Sequence, residues 1–285
     1  MKRTLTFYLL LFQIFFIMTG QTPEKKQYKA TKIIVPPEID GILGDESWKE
    51  GIWGSDFTQW QPYNGRPESQ RTEFNIVFDE DNLYVAIKAF DTSPDSIVKR
   101  LGRKDNIDGD WVAIIIDSYH DLRTGFMFGV SAAGVKLDEI MSNDGNNEDS
   151  SWEANWWAKT TVNDEGLFAE MKIPFSQLRF EKNSEDVWGL EILRFLYRNN
   201  ETSIWQPIPR DAPGLIHMMG EMTGLEQVKP RKIFDITPYG VAKVERYKSE
   251  PENPFATGKG SKINGGLDAK IGITNNLTVD LTVNP

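Results

Sequence analysis

The chain of 285 residues contains no cysteine. Disulfide stapling, a thiol nucleophile and thiolate zinc sites are therefore all excluded. Imidazole is almost as scarce, since only His120 and His217 are present and they lack HExxH spacing. A Ser-His-Asp hydrolase is hard to assemble from such a set. Positive charge is in deficit too: 32 Lys and Arg stand against 42 Asp and Glu, for a formal charge of −10, and no Lys/Arg-rich run breaks the balance. Nucleic acid is not expected as a partner, because phosphate binding needs a basic footprint.

The one long apolar stretch lies at the N-terminus. Lys2 and Arg3 precede a run from Leu5 to Met18 that only Thr6 and Gln13 interrupt, and Thr19 and Gly20 lead into polar Gln21. Residues 1–20 read as a secretory signal peptide, too short for a comfortable membrane span, with a membrane anchor as the competing reading. Export of the acidic remainder is the expectation.

Beyond that stretch the chain is rich in aromatics, with 9 Trp, 16 Phe and 8 Tyr, a composition that favours strands. Phe74, Ile76 and Phe78 alternate before a DEDN turn into Leu83 to Phe90, which predicts a hairpin with one buried face. Further strands are expected at Ile33 to Val35, in the acid-rimmed hairpin Gly109 to Gly134, and at Leu137 to Met141, Trp156 to Val162, Leu167 to Ile173 and Val187 to Tyr197. Short strands without long helices between them point to an all-β fold, an antiparallel β-sandwich over residues 27–228. The character changes after Leu225. Leu277 to Asn284 alternates with a clean period of two, as in an outer-membrane barrel or a half-buried soluble strand, so residues 229–285 read as the first strands of a truncated β-barrel.

Several motifs in fixed order carry a family resemblance. PPEIDGILGDESW (Pro36 to Trp48), DEDNLYVAIKAFD (Asp79 to Asp91), GDWVAIIID (Gly109 to Asp117) and GLFAEMKIPFSQLRF (Gly166 to Phe180) resemble the family 9 carbohydrate-binding modules of exported bacterial proteins. RTGFMFGVSAAG, IWQPIPRD and NNLTVDLTVNP resemble, more closely, Bacteroidetes-type outer-membrane proteins in which such a module leads into a large uncharacterised β-barrel. The resemblance implies a sandwich that binds polysaccharide or oligosaccharide, a bound structural calcium, and a place in the periplasm or outer membrane of a Gram-negative bacterium. Characterised members clamp a terminal sugar between two Trp rings. Alignment puts Ile107 at the first clamp position and Pro209 near the second, with Trp205 four residues earlier, so neither position carries tryptophan here.

Rings that could stack on a pyranose are Trp60, Trp111, Trp156, Trp157 and Trp205, all expected in loops or at strand ends, with Arg210 as a polar contact. Trp157 and Trp205 are preferred. Trp156 and Trp157 are adjacent, so in a strand they face opposite ways, and Trp48 and Trp188 are assigned to the core. Among the acids, Asp105, Asp108 and Asp110 are calcium candidates, with Asp144, Asn146 and Asp149 as a second set. The same acids are equally readable as a solvated rim, braced by Arg100, Arg103, Arg123 and Arg210, and Asp110 with Glu139 as a glycosidase pair. The sequence thus favours a non-catalytic module serving glycan binding or catabolism. The alternatives are a structural periplasmic domain without sugar binding and a glycoside hydrolase acting on O-glycosyl bonds.

Overall fold

The expected strands form except at Ile33 to Val35, and pairing sorts the strands into three sheets. The computed structural model describes residues 24–180, 186–230, 234–248, 258–274 and 277–284, so the signal-peptide reading of residues 1–20 lies outside the described residues. The chain runs through β1 (Gln27–Lys29), β2 (Thr31–Lys32), a single helical turn α1 (Glu46–Glu50), β3 (Thr58–Gln61), β4 (Thr72–Phe78), β5 (Asn82–Phe90), β6 (Trp111–Asp117), β7 (Gly125–Ser131) and β8 (Lys136–Ser142). It continues through β9 (Asn147–Asp149), β10 (Trp157–Asn163), β11 (Gly166–Pro174), β12 (Trp188–Leu196), β13 (Glu201–Ile204), β14 (Gly220–Thr223), β15 (Phe234–Arg246), β16 (Lys259–Thr274) and β17 (Leu277–Val283).

The larger sheet has nine strands in the order β1-β14-β12-β6-β7-β8-β9, with β13 joining β12 to β3; the smaller is β10-β11-β5-β4-β2; and β15-β16-β17 stand apart. Pairing is antiparallel except where β1 meets β14 and β2 meets β4. β1 and β2 are separated only by Ala30, so this segment is stitched into both layers of the sandwich. The strand expected at Ile33 to Val35 ends instead at Lys32.

Period-two alternation places Val112, Ile114 and Ile116 of β6 and Phe126 and Phe128 of β7 against Phe74, Ile76, Val85 and Ile87 of the smaller sheet. The expectation of a single buried face needs correction. Ala113, Ile115, Met127, Leu193 and Ile204, on the outer face of the larger sheet, are buried beneath Ile208, Ile216 and Met219 of the segment 205–219. On the smaller sheet, Val77, Tyr84 and Ala86 are covered by Ile33 and Trp48. Strands such as VAIIID are near-continuous apolar runs, the mark of burial on both faces.

One carboxylate anchors each covering segment. Glu170 of β11 accepts the backbone N–H groups of Asp40 (3.1 Å) and Gly41 (2.7 Å) and the indole N–H of Trp48 (2.8 Å). Gly41 is required there, with φ +89° and a Cβ position 2.7 Å from Thr161 Oγ1. Glu191 of β12 accepts the N–H groups of Trp205 (2.8 Å) and Gln206 (3.0 Å) through Oε1. The spaced motifs of the sequence are thus parts of two contacts.

Burial pushes the Glu170 carboxyl up to about 7 and the Glu191 carboxyl up to about 8, against the pull of their N–H donors. Both bind a proton more readily folded than unfolded. Their contribution to stability is therefore complete below about pH 4.5 and lost as pH rises through about 7 and 8. Glu191→Gln keeps the accepting oxygen, so it should flatten the fall in melting temperature between about pH 5 and pH 8, as followed by circular dichroism. Glu191→Ala, which orphans buried N–H groups, should cost roughly 1–3 kcal/mol for each.

Candidate functional site

Where β12 passes between β6 and β13, the outer face of the larger sheet carries a row in register: Thr202, Phe195, Trp111 and Ser131. Trp111 and Phe195 are stacked, with ring centroids 5.9 Å apart at 25°. Phe195 meets Tyr197 edge-on at 6.2 Å, and the Arg100 guanidinium lies 5.2 Å over the Tyr197 ring. Trp60 of β3 packs on the same apolar cluster as Trp111. Small residues flank the row, Thr202 on one side and Ser131 on the other, so the half-buried rings keep part of their faces open. On the same outer face of β3, Trp60 Nε1 and Thr58 Oγ1 are buried with no hydrogen-bond partner among the described residues. Buried polar atoms of this kind ordinarily find a partner.

The structure therefore brings Trp60 and Trp111 together and separates the other candidates. Trp205 is not an exposed loop ring. It is 4% exposed and packs edge-on against Phe74 (5.3 Å) and Tyr28 (6.4 Å), because Glu191 pins its backbone and turns the ring into the core. Trp156 is buried as well, its Nε1 donating to Asp138 Oδ1 at 3.0 Å, while Trp157 on the opposite face of β10 is 48% exposed. Trp48 and Trp188 lie in the core as expected. Arg210 is exposed in the covering segment, away from any side-chain partner among the described residues. Phe195 and Tyr197 were not singled out by sequence, although the alternation in RFLY marks them as residues of one face.

The acids also disperse. Asp110 is 3% exposed, and its two oxygens accept the N–H groups of Val98 (2.8 Å) and Tyr197 (3.3 Å). Its carboxyl is raised by burial against those donors. Glu139 is half-buried and also raised, by burial and then by Glu148, Asp105 and Asp138. Asp108 pairs with Arg100 at 2.9 Å, which bears out the loop-locking role expected of that arginine. Asp144 meets His217 Nδ1 at 2.6 Å and Asn146 Nδ2 donates to Pro213 O at 3.1 Å, so the second set braces the covering segment.

Asp105 belongs to a different arrangement. The Lys104 ammonium sits among Asp105 (3.2 Å), Asp138 (2.9 Å) and Glu153 (2.7 Å). Burial lowers the Lys104 pKa, but the hydrogen bonds that the ammonium donates to the three carboxylates outweigh it and hold the group above its ordinary value. Asp105, Asp108 and Asp110 turn to separate partners: one faces a lysine, one an arginine and one two backbone N–H groups. Among the described residues no group of three or more His, Asp or Glu side chains is arranged to hold a metal.

A family model described as "Carbohydrate family 9 binding domain-like" matches residues 39–204. No curated protein matches. Among solved structures, a family 9 carbohydrate-binding module from Caldicellulosiruptor kristjanssonii in complex with cellotriose is 16% identical, with a TM-score of 0.51 over 72% of this chain and 95% of its own. Its complex with glucose gives 17%, 0.52, 72% and 97%. A protein from Bacteroides uniformis ATCC 8492 gives 13%, 0.54, 70% and 99%. At these identities the likeness is one of fold.

Two expected outcomes follow from the Lys104 cage. EDTA should leave the wild-type melting temperature unchanged, because the cation that neutralises these carboxylates is covalently attached. Lys104→Met should lower it by leaving Asp138, which is fully buried, without its cation and with only the N–H groups of Trp156 and Ala154, at a cost of at most about 3–5 kcal/mol. Differential scanning calorimetry reads both.

Proposed function

Because the chain belongs to the "Carbohydrate family 9 binding domain-like" family, we propose that its sandwich is a non-catalytic module that holds polysaccharide or oligosaccharide on the Trp60, Trp111 and Phe195 surface. The carrying observation is the stacked, half-open row at Trp111, with unpartnered polar atoms beside it. A ring offers its face to the C–H side of a pyranose, and buried donors and acceptors supply the few oriented hydrogen bonds that give specificity. Binding suits this surface better than attack. Asp110, one member of the carboxylate pair that could have served a glycosidase, is enclosed and engaged by backbone donors, whereas hydrolysis needs both carboxylates at the scissile bond. The solved sugar complexes of similar fold support the saccharide as ligand class.

We also propose that the module is exported and attached to the outer membrane through the C-terminal sheet. The register of β15, β16 and β17 puts Phe234, Ile236, Leu267, Ile271, Leu281 and Val283 on one face, and Asp235, Thr237, Asp268, Lys270, Asp280 and Thr282 on the other. The apolar face is solvent-exposed at Phe234, Ile236 and Leu281, while polar-face Lys270 donates to Glu153 O (2.9 Å) on the sandwich. Strands of 13 and 16 residues exceed the 9–11 or so that span a bilayer at a tilt. One apolar and one polar face on long strands is the arrangement of a barrel wall between lipid and lumen.

Trp111→Ala should weaken cellotriose binding by about ten- to a hundredfold, the equivalent of roughly 1–3 kcal/mol of lost apolar contact, with little change in melting temperature. Isothermal titration calorimetry checks this; an unchanged affinity sinks the assignment of this surface. For the membrane reading, Leu281→Arg should reduce flotation of the full chain with phospholipid vesicles, at a cost of roughly 2–4 kcal/mol, whereas Thr282→Arg on the polar face should be tolerated.

A further inference from the structure

On the other side of the sandwich, the outer face of the smaller sheet ends in a cleft of about 290 Å³ that none of the foregoing uses. It is lined by Pro36, Pro37, Tyr84, Trp157, Lys159 and Lys172. Trp157 and Lys159 share a face of β10; Lys172 lies directly opposite Trp157, and Tyr84 opposite Lys172. Trp157 is the most exposed tryptophan of the chain, and Lys172 Nζ stands 5.3 Å from its ring centroid. Consecutive prolines give the facing wall a fixed backbone.

Charge makes this cleft distinctive. The chain carries −10 overall, yet neither Lys159 nor Lys172 forms an ion pair among the described residues. Glu170, the carboxylate opposite Lys159, turns its oxygens to Asp40, Gly41 and Trp48 instead. Two ammonium groups without a carboxylate partner among the described residues flank the half-exposed indole, with Lys172 over its ring. Such a pair offers a carboxylate two charge-assisted donors while the ring takes an apolar sugar face.

We propose that this cleft is a second saccharide site that selects acidic sugars, with the Trp157 ring against a uronate pyranose and Lys159 and Lys172 on its carboxylate. Its volume lies at the small end of ligand clefts and suits a single ring, with the remainder of the glycan outside. The proposal rests on the reading of the chain as a saccharide binder but on a different surface from Trp111.

The test is calorimetric titration of the full chain with trigalacturonate and, separately, with cellotriose. Trigalacturonate should bind with an affinity that falls as salt is added. Trp157→Ala should weaken it about tenfold or more, and so should Lys159→Gln combined with Lys172→Gln, while cellotriose binding stays as in the wild type. Sensitivity of cellotriose to Trp111→Ala reports on the other surface independently, so the two assignments fail separately. No binding of trigalacturonate to the wild type, or binding that survives Trp157→Ala with unaltered melting temperature, overturns the proposal. A loss in Trp157→Ala that the lysine variant does not reproduce overturns the selection for acidic sugar.

Discussion

Both sheets of the sandwich carry apolar residues on both faces, and the structure depends on covering the apolar part of the two outer faces with chain that has no regular partner of its own. Hydrophobic burial supplies the attraction, but an irregular segment brings unpaired backbone N–H groups with it, and these are costly to bury. Glu170 and Glu191 resolve the conflict in the same way on opposite sheets. Each rises from the middle of an apolar strand and collects several donors from the segment above. The result is a four-layered body in which the outer layers are loops held by carboxylates.

That arrangement decides where a ligand can reach the sheets. The middle of each outer face is closed, and rings that stay accessible on the sheets include Trp60, Trp111 and Phe195 on the larger and Trp157 on the smaller. The layer between the sheets is sealed at one end by a polar plug around Arg194, which is 4% exposed and donates to Gln70 O, Arg71 O and Thr72 Oγ1. Burial raises Glu68, within that plug, to about 7 against its bonds to Thr72 and the pull of Arg194. Polar residues inside this domain mostly serve closure.

The hairpins were legible in the sequence because alternation and turn residues are local signals. Burial of the second face was not, since a run such as VAIIID reads the same whether one side or both is covered. Trp205 shows the cost: a tryptophan beside Pro-rich chain looks exposed until the Glu191 contact, 14 residues away, is known to turn it inward. A visible clue did exist. Glu170 in LFAEMKI and Glu191 in LEILRF are single acids inside apolar strands, a place where a carboxylate persists only with partners. The acids around Asp105 were correctly noticed as dense, but which cation neutralises them is a matter of three-dimensional convergence, and it is Lys104 that arrives.

The opening segment, divided between the two layers, bears on the order of assembly. Thr31 and Lys32 find Val77 and Phe78 nearby, whereas Gln27 waits for Glu221, 194 residues further along. Contacts at such separation form late, after the entropy of closing a long loop has been met. A chain emerging with its N-terminus first can build the smaller sheet as it goes but cannot finish the larger one until β14 has followed. The seam between the first strand and the last strand of the sandwich is thereby the part of the domain that closes last.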